Sequence, residues 1–141
     1  MLPGVSAQDC LIADLGIDLT LSGFQSFEAT DFLLHKRGCD PSCALILWQI
    51  GLVGVKEYCP QHKNWNSEGF EILAERLVRI YGPRHKAIVY EAAIYPIFEP
   101  VIQRVPLNRL AKAEITTASL LYIPPSCAPP WDYRMAKRLR L

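Results

Sequence analysis

The residues with the most chemical potential in this 141-residue chain sit beside apolar runs, where a small side chain or a single polar group lets a flat ligand approach backbone. They are Pro3, Gly4, Val5 and Ser6 in "PGVS", Trp48 and Gln49 at the end of "ALILWQ", Ala92 and Ala93 after "KAIVYE", and Ser119 beside "LLYI". In open α/β sheets the carboxyl ends of strands form the ligand crevice, which makes these positions candidates for a binding site. Each also has a structural reading. Ser6 is an N-cap, and paired alanines are tight packing contacts.

Nucleophile and metal patterns are less specific. Cys59 and His62 form a pair in sequence with no orienting third group. Cys39, Cys43, Cys59 and His62 lack the paired C-x2-C spacing of a zinc site, so no metal is expected. His35 and His85 lie beside basic residues at helix ends, which points to solvated roles. Among the carboxylates that could act as a base, Glu28, Asp31, Glu91 and Glu99, Glu91 stands out because it interrupts a buried run. Glycine-rich phosphate loops are absent.

These candidates need elements to hold them. Ser6 followed by Asp9 reads as a capping box, with Leu11, Ile12 and Leu15 as an apolar stripe and Gly16 as the stop. A strand is expected around Gln25 to Glu28, then a short helix over Asp31 to Lys36 capped by Thr30. "CALILWQIG" reads as a strand buried on both faces. The stretch from Gly54 to Phe70 reads as a long loop, and Ser67 caps an amphipathic helix that ends at Gly82-Pro83. Strands follow in "KAIVYEAAIYP", "EPVIQRVPL" and "ASLLYIPP", with a short helix in "LNRLAKAE". This alternation predicts an α/β fold, a mixed sheet of four or five strands flanked by helices.

Composition narrows the function classes. Half of the residues are hydrophobic, 21% are charged and the net charge is +1, which gives no electrostatic case for nucleic acid. The basic run Arg134 to Arg140 reads as a solvated terminal helix. The longest apolar stretch, Cys43 to Val55, is too short and too broken by glycine to span a bilayer, so no membrane partner is expected. Five irregularly spaced cysteines point to reduced thiols, and with no export signal a cytoplasmic location is expected.

Five stretches in order, "MLPGVSAQDCLIADLGID", "FEATDFLL", "LILWQIG", "IYGPRHKAIVYEAAIYP" and "LLYIPP", resemble the carboxyl-terminal half of S-adenosylmethionine-dependent methyltransferases of the tetrapyrrole methylase fold. Within that family they are most similar to the branch of borosin-type peptide backbone N-methyltransferases. The resemblance implies that residues 1–125 form a second lobe, with 126–141 as a tail. It implies S-adenosylmethionine as cofactor, contacted by Ser6 and Ala7 at the turn between lobes, by Gln49, by Ala92 and Ala93 beside the adenosine, and by the Ser119 hydroxyl. Relatives usually read Ser-Thr where this chain reads Ser119-Leu120, which removes one hydroxyl.

The family's first lobe, which carries its catalytic residues, would precede Met1, so no catalytic residue is assigned. The resemblance therefore implies a methyltransferase lobe that is inactive alone and acts as a homodimer or with a partner chain carrying the first lobe. Its substrate would be a peptide, methylated on backbone amides, or a small molecule. The alternative is a non-catalytic remnant or an interaction module that self-associates.

Overall fold

A computed structural model describes residues 5–55, 66–95 and 97–141. Nine residues of helix, α1 (Ala7–Leu15), open the described chain. The Ser6 side chain accepts from the Asp9 N–H, the Asp9 carboxylate accepts from the Ser6 N–H, and Gly16 closes the helix in the left-handed region at φ 61°. Strand β1 (Phe24–Glu28) passes directly into α2 (Ala29–Leu34). Here the cap differs from expectation. Glu28 rather than Thr30 caps the helix, because its longer side chain reaches the N–H groups of both Thr30 and Asp31.

The buried run forms β2 (Ala44–Trp48), followed by a 3-10 turn at Ile50–Leu52. Helix α3 (Ser67–Tyr81) is capped one residue earlier than expected, by Asn66, whose side chain accepts from the Gly69 N–H. It buries Phe70, Leu73, Ala74 and Leu77, the i, i+3, i+4, i+7 stripe of an amphipathic helix. Strands β3 (Lys86–Glu91) and β4 (Val101–Pro106) follow, and "LNRLAK" forms a 3-10 helix. Strand β5 (Leu120–Ile123) and the exposed basic helix α4 (Tyr133–Leu139) complete the order.

The five strands make one mixed sheet in the order β1-β2-β5-β3-β4. Strands β1 and β2 are parallel, and β5 lies antiparallel between β2 and β3. That insertion makes β1, β2 and β3 point the same way. Their carboxyl ends, and the starts of β4 and β5, therefore share one edge of the sheet.

Alternation sorts the central strands into two layers. Leu45, Leu47, Ala87, Val89, Leu121 and Ile123 face one core with α2, α3 and both 3-10 segments. Ala44, Ile46, Tyr90, Leu120 and Tyr122 face the other, where α1 contributes Leu11. Tyr90 crosses this second layer and donates to Asp14 Oδ2 of α1 at 2.7 Å. All four β5 residues are buried, which suits the central position, whereas β1 and β4 alternate toward solvent as sheet edges do.

Gly51 sits at the shared edge. A Cβ at this position would collide with the carbonyl oxygen of Thr116, so the 3-10 turn after β2 and the segment before β5 pack backbone to backbone. Gly51→Ala is expected to lower unfolding free energy by about 1–3 kcal/mol through overpacking, read as a shift in the urea midpoint without a change in slope.

Candidate functional site

The sheet edge collects most of the residues singled out from sequence. Gln49 follows β2 directly, Ala92 and Ala93 follow β3, and Ser119 precedes β5. Leu47 pairs with Leu121 and Tyr90 with Leu120, so continuing the register sets Ser119 between Gln49 and Glu91. Ala7 and Ala92 pack against the same apolar layer, together with Trp48. The start of α1 therefore belongs to the face on which the β3 segment ends. Ser6 itself is exposed and committed to its capping box, whose hydroxyl and N–H bonds hold the Asp9 carboxyl below its ordinary range.

Gln49 has an uncommon backbone. It lies in the left-handed region at φ 56°, ψ 38°, a conformation that costs a non-glycine residue about 1–2 kcal/mol. The surrounding contacts hold it there, with Trp48 anchored through its indole N–H to Ser26 Oγ at 2.6 Å and Gly51 wedged on Thr116. The Gln49 side chain is exposed, and among the described residues its amide makes no hydrogen bond. Strained residues of this kind concentrate at binding sites, where surrounding structure over-determines them.

Ser119 is 2% exposed, and its hydroxyl is already engaged. It accepts from the Thr116 N–H at 2.8 Å and donates to Glu91 Oε2 at 3.2 Å. Thr116 Oγ1 makes a short bond to the same carboxylate oxygen and accepts from the Ala118 N–H at 3.1 Å. Two hydroxyls from the turn before β5 thus hold the last carboxylate of β3. Thr116 was not legible as part of this site, since only the turn-forming run "TTAS" marks its neighbourhood.

Beyond Glu91 the chain lines a shallow groove of about 200 Å³ with Ala92, Ala93, Tyr95, Phe98 and Val101 among its walls. The Tyr95 and Phe98 rings meet edge to face at a centroid distance of 6.1 Å. The groove is mostly apolar, and its small alanines leave room for a flat ring. Its volume is below the usual ~300–1,000 Å³ of small-molecule pockets. Glu99, a candidate base from sequence, lines the same groove as Glu91, and the other sequence candidates are dispersed. His35 packs against Asp31 at 2.9 Å, His85 against the Pro124 carbonyl at 2.9 Å, and Cys39 against the Tyr81 hydroxyl at 3.2 Å, where burial pushes its thiol up. Cys59 and His62 lie outside the described residues.

No family model matches the chain. Curated proteins do match it. The chain is 39% identical over 145 residues to the methyltransferase/type III borosin cyclic peptide precursor of Anomoporia bombycina, covering 100% of this chain and 17% of that protein. It is 39% identical, again over its full length, to the gymnopeptide precursor methyltransferase of Gymnopus fusipes, covering 34% of it. The omphalotin A precursor methyltransferase of Omphalotus olearius is 36% identical, with 100% of this chain and 34% of that one covered. Among solved structures, uroporphyrin-III C-methyltransferase from Thermus thermophilus, complexed with S-adenosylhomocysteine, gives a TM-score of 0.48 at 19% identity over 87% of this chain and 49% of that one.

The chain is therefore similar, along its whole length, to one segment of borosin-type methyltransferase/peptide precursors. It spans between 17% and 34% of the length of these relatives. Among the described residues no helix is long and apolar enough to cross a membrane.

Ser119→Ala would leave the Thr116 N–H without its acceptor beside a buried position. We expect a loss of about 1–3 kcal/mol in unfolding free energy, measured by denaturant titration, whereas Thr117→Ala on the exposed side of the same turn should cost little.

Proposed function

We propose that the edge formed by Gln49, Ala92, Ala93 and Ser119, with Ser6 and Ala7 at the start of α1, is one wall of an S-adenosylmethionine site in a methyltransferase. The observation that carries this reading is the 39% identity, along the whole of this chain, to segments of proteins named as methyltransferases. The geometry supports it. A groove with apolar walls and small alanines suits an adenine ring, and the unpaired amide of the strained Gln49 is free to bond a polar edge.

S-adenosylmethionine, when bound, supplies a methyl group activated on a sulfonium. The chain's own residues would act by placement. Ala92 and Ala93 admit the ring against backbone, Gln49 fixes its orientation, and the hydroxyls of Thr116 and Ser119 keep Glu91 and the end of β3 in place. Nothing in this segment is assigned to proton removal from the acceptor. We take the acceptor to be a peptide backbone amide, since the relatives' names join methyltransferase and cyclic peptide precursor in one protein.

We further propose that this 141-residue segment binds the cofactor without turning over, and that it works as a homodimer or against a partner chain that completes the cleft. Ile94 at 80% exposure, Ile97 at 85% and Phe98 at 60% support a covered face beside the groove. The same patch favours the second reading, a non-catalytic module that self-associates through this surface.

Calorimetric titration of the folded chain with S-adenosylhomocysteine separates the two. Binding that weakens about two- to tenfold in Gln49→Ala, and is lost when Ala93→Leu fills the groove, is the expected result. No heat at millimolar ligand would overturn the cofactor reading and leave the interaction module.

A further inference from the structure

The basic run at 134–140 is a sequence feature that the candidate site does not use. Residues 131–141 carry four of the chain's 15 basic side chains, Arg134, Lys137, Arg138 and Arg140, and one of its 14 acidic ones, Asp132. The rest of the chain is left with 11 basic and 13 acidic residues, so a segment of net charge +3 is joined to a body of −2. Helix α4 sorts these groups by face. At the helical period Arg134, Lys137 and Arg138 share one side, and Met135 and Leu139 lie on the other, where Ala136 is buried. The four basic side chains are exposed, and none forms an ion pair among the described residues.

Helix α3 presents the opposite charge. Its inner stripe faces the core, and its outer face carries Glu68, Glu71 and Glu75 beside the exposed Ile72. Glu68 and Glu71 form no ion pair among the described residues, and Glu75 reaches only Arg79 of its own helix, at 3.6 Å with both side chains mostly in solvent. Arg76 is turned toward the core, its guanidinium 5.1 Å from the centroid of the buried Phe32 ring. The outer face of α3 is therefore acidic over its first turns and carries a cation in its last, whereas α4 starts at the acidic cap Asp132 and ends basic.

We infer that α4 docks on the outer face of α3 in a second copy of this chain. Laid antiparallel, the two helices set Lys137, Arg138 and Arg140 against Glu68, Glu71 and Glu75, and Asp132 toward Arg79. The aliphatic stems of the basic side chains then cover Ile72. The partner is a second copy because the matching face belongs to this chain and its own α4 leaves that face unpaired. The contact is separate from the apolar face beside the groove and does not depend on a bound cofactor. Each exposed pair contributes little, so the association is weak, with a dissociation constant on the order of 100 µM at low salt.

Sedimentation equilibrium on the full chain tests this. The wild type should self-associate at low salt, and raising salt from about 0.05 to 0.5 M should weaken the association at least fivefold, roughly, because charge pairs in solvent are screened. Lys137→Glu with Arg138→Glu makes α4 repel α3, and Glu71→Lys with Glu75→Lys makes α3 repel α4. Each double variant alone should stay monomeric. Mixing the two should restore association, because the intact α4 of one meets the intact α3 of the other, and that rescue shows in the same experiment that both variants are folded.

A mixture that stays monomeric while each variant keeps the wild-type circular dichroism would overturn the inference. Self-association that both variants retain and Ile97→Ser removes would also overturn it, placing the contact on the apolar face beside the groove. A wild type still monomeric at about 1 mM would do the same. Sedimentation of that monomer with phosphatidylserine vesicles would then give α4 a lipid surface as its partner in place of a second copy.

Discussion

Everything at the candidate site depends on one topological constraint, the insertion of β5 between β2 and β3 against their direction. A strand with no charged side chain and four buried residues can sit only at the centre of the sheet, where both faces are covered. Its central position forces β2 and β3 to run parallel although they are separated by a long helix. Their carboxyl ends then meet the start of β5 along one edge. Without that strand, Gln49 and Ala92 would not share a site with Ser119.

The edge is held by polar contacts where the apolar layers end. Leu47, Leu121 and Val89 end one layer, and Trp48, Leu120 and Tyr90 end the other. Past them the chain must turn, and each turn leaves polar groups that need partners. Thr116 and Ser119 answer this by bonding each other and Glu91, and Gly51 lets the neighbouring turn close against the Thr116 carbonyl. The same contacts that complete the sheet edge therefore fix a carboxylate and a strained glutamine at the mouth of a groove. Stability and site share residues here, which is why positions that look like packing devices can also be binding positions.

Two features of the molecule remain outside this frame. The patch of Ile94, Ile97 and Phe98 exposes more apolar surface than a lone chain gains from, and it borders the groove rather than the cores. The basic helix α4 has only Ala136 buried, with Trp131 and Tyr133 in solvent beside Arg134, Lys137 and Arg138.

Much of this was determined by sequence alone, because the signals are local. The capping box at Ser6, the stripe of α3 and the buried runs of β2, β3 and β5 each arise from neighbours within a few residues, and the five ordered motifs were enough to point to the borosin-type proteins that the chain is similar to. Local reasoning erred only by small steps, naming Thr30 and Ser67 as caps where Glu28 and Asn66 serve. A cap is chosen by which side chain reaches a free N–H, and propensity ranks residue types without measuring reach. What tertiary structure alone decided is the partnership of Glu91 with Thr116 and Ser119, residues 25 and 28 positions apart in the chain. Alternation could say that Glu91 ended a buried strand, but not which strand would lie beside it. Strand order is a long-range choice set by burial and chain reach, and only when β5 takes the centre do two hydroxyls meet that carboxylate.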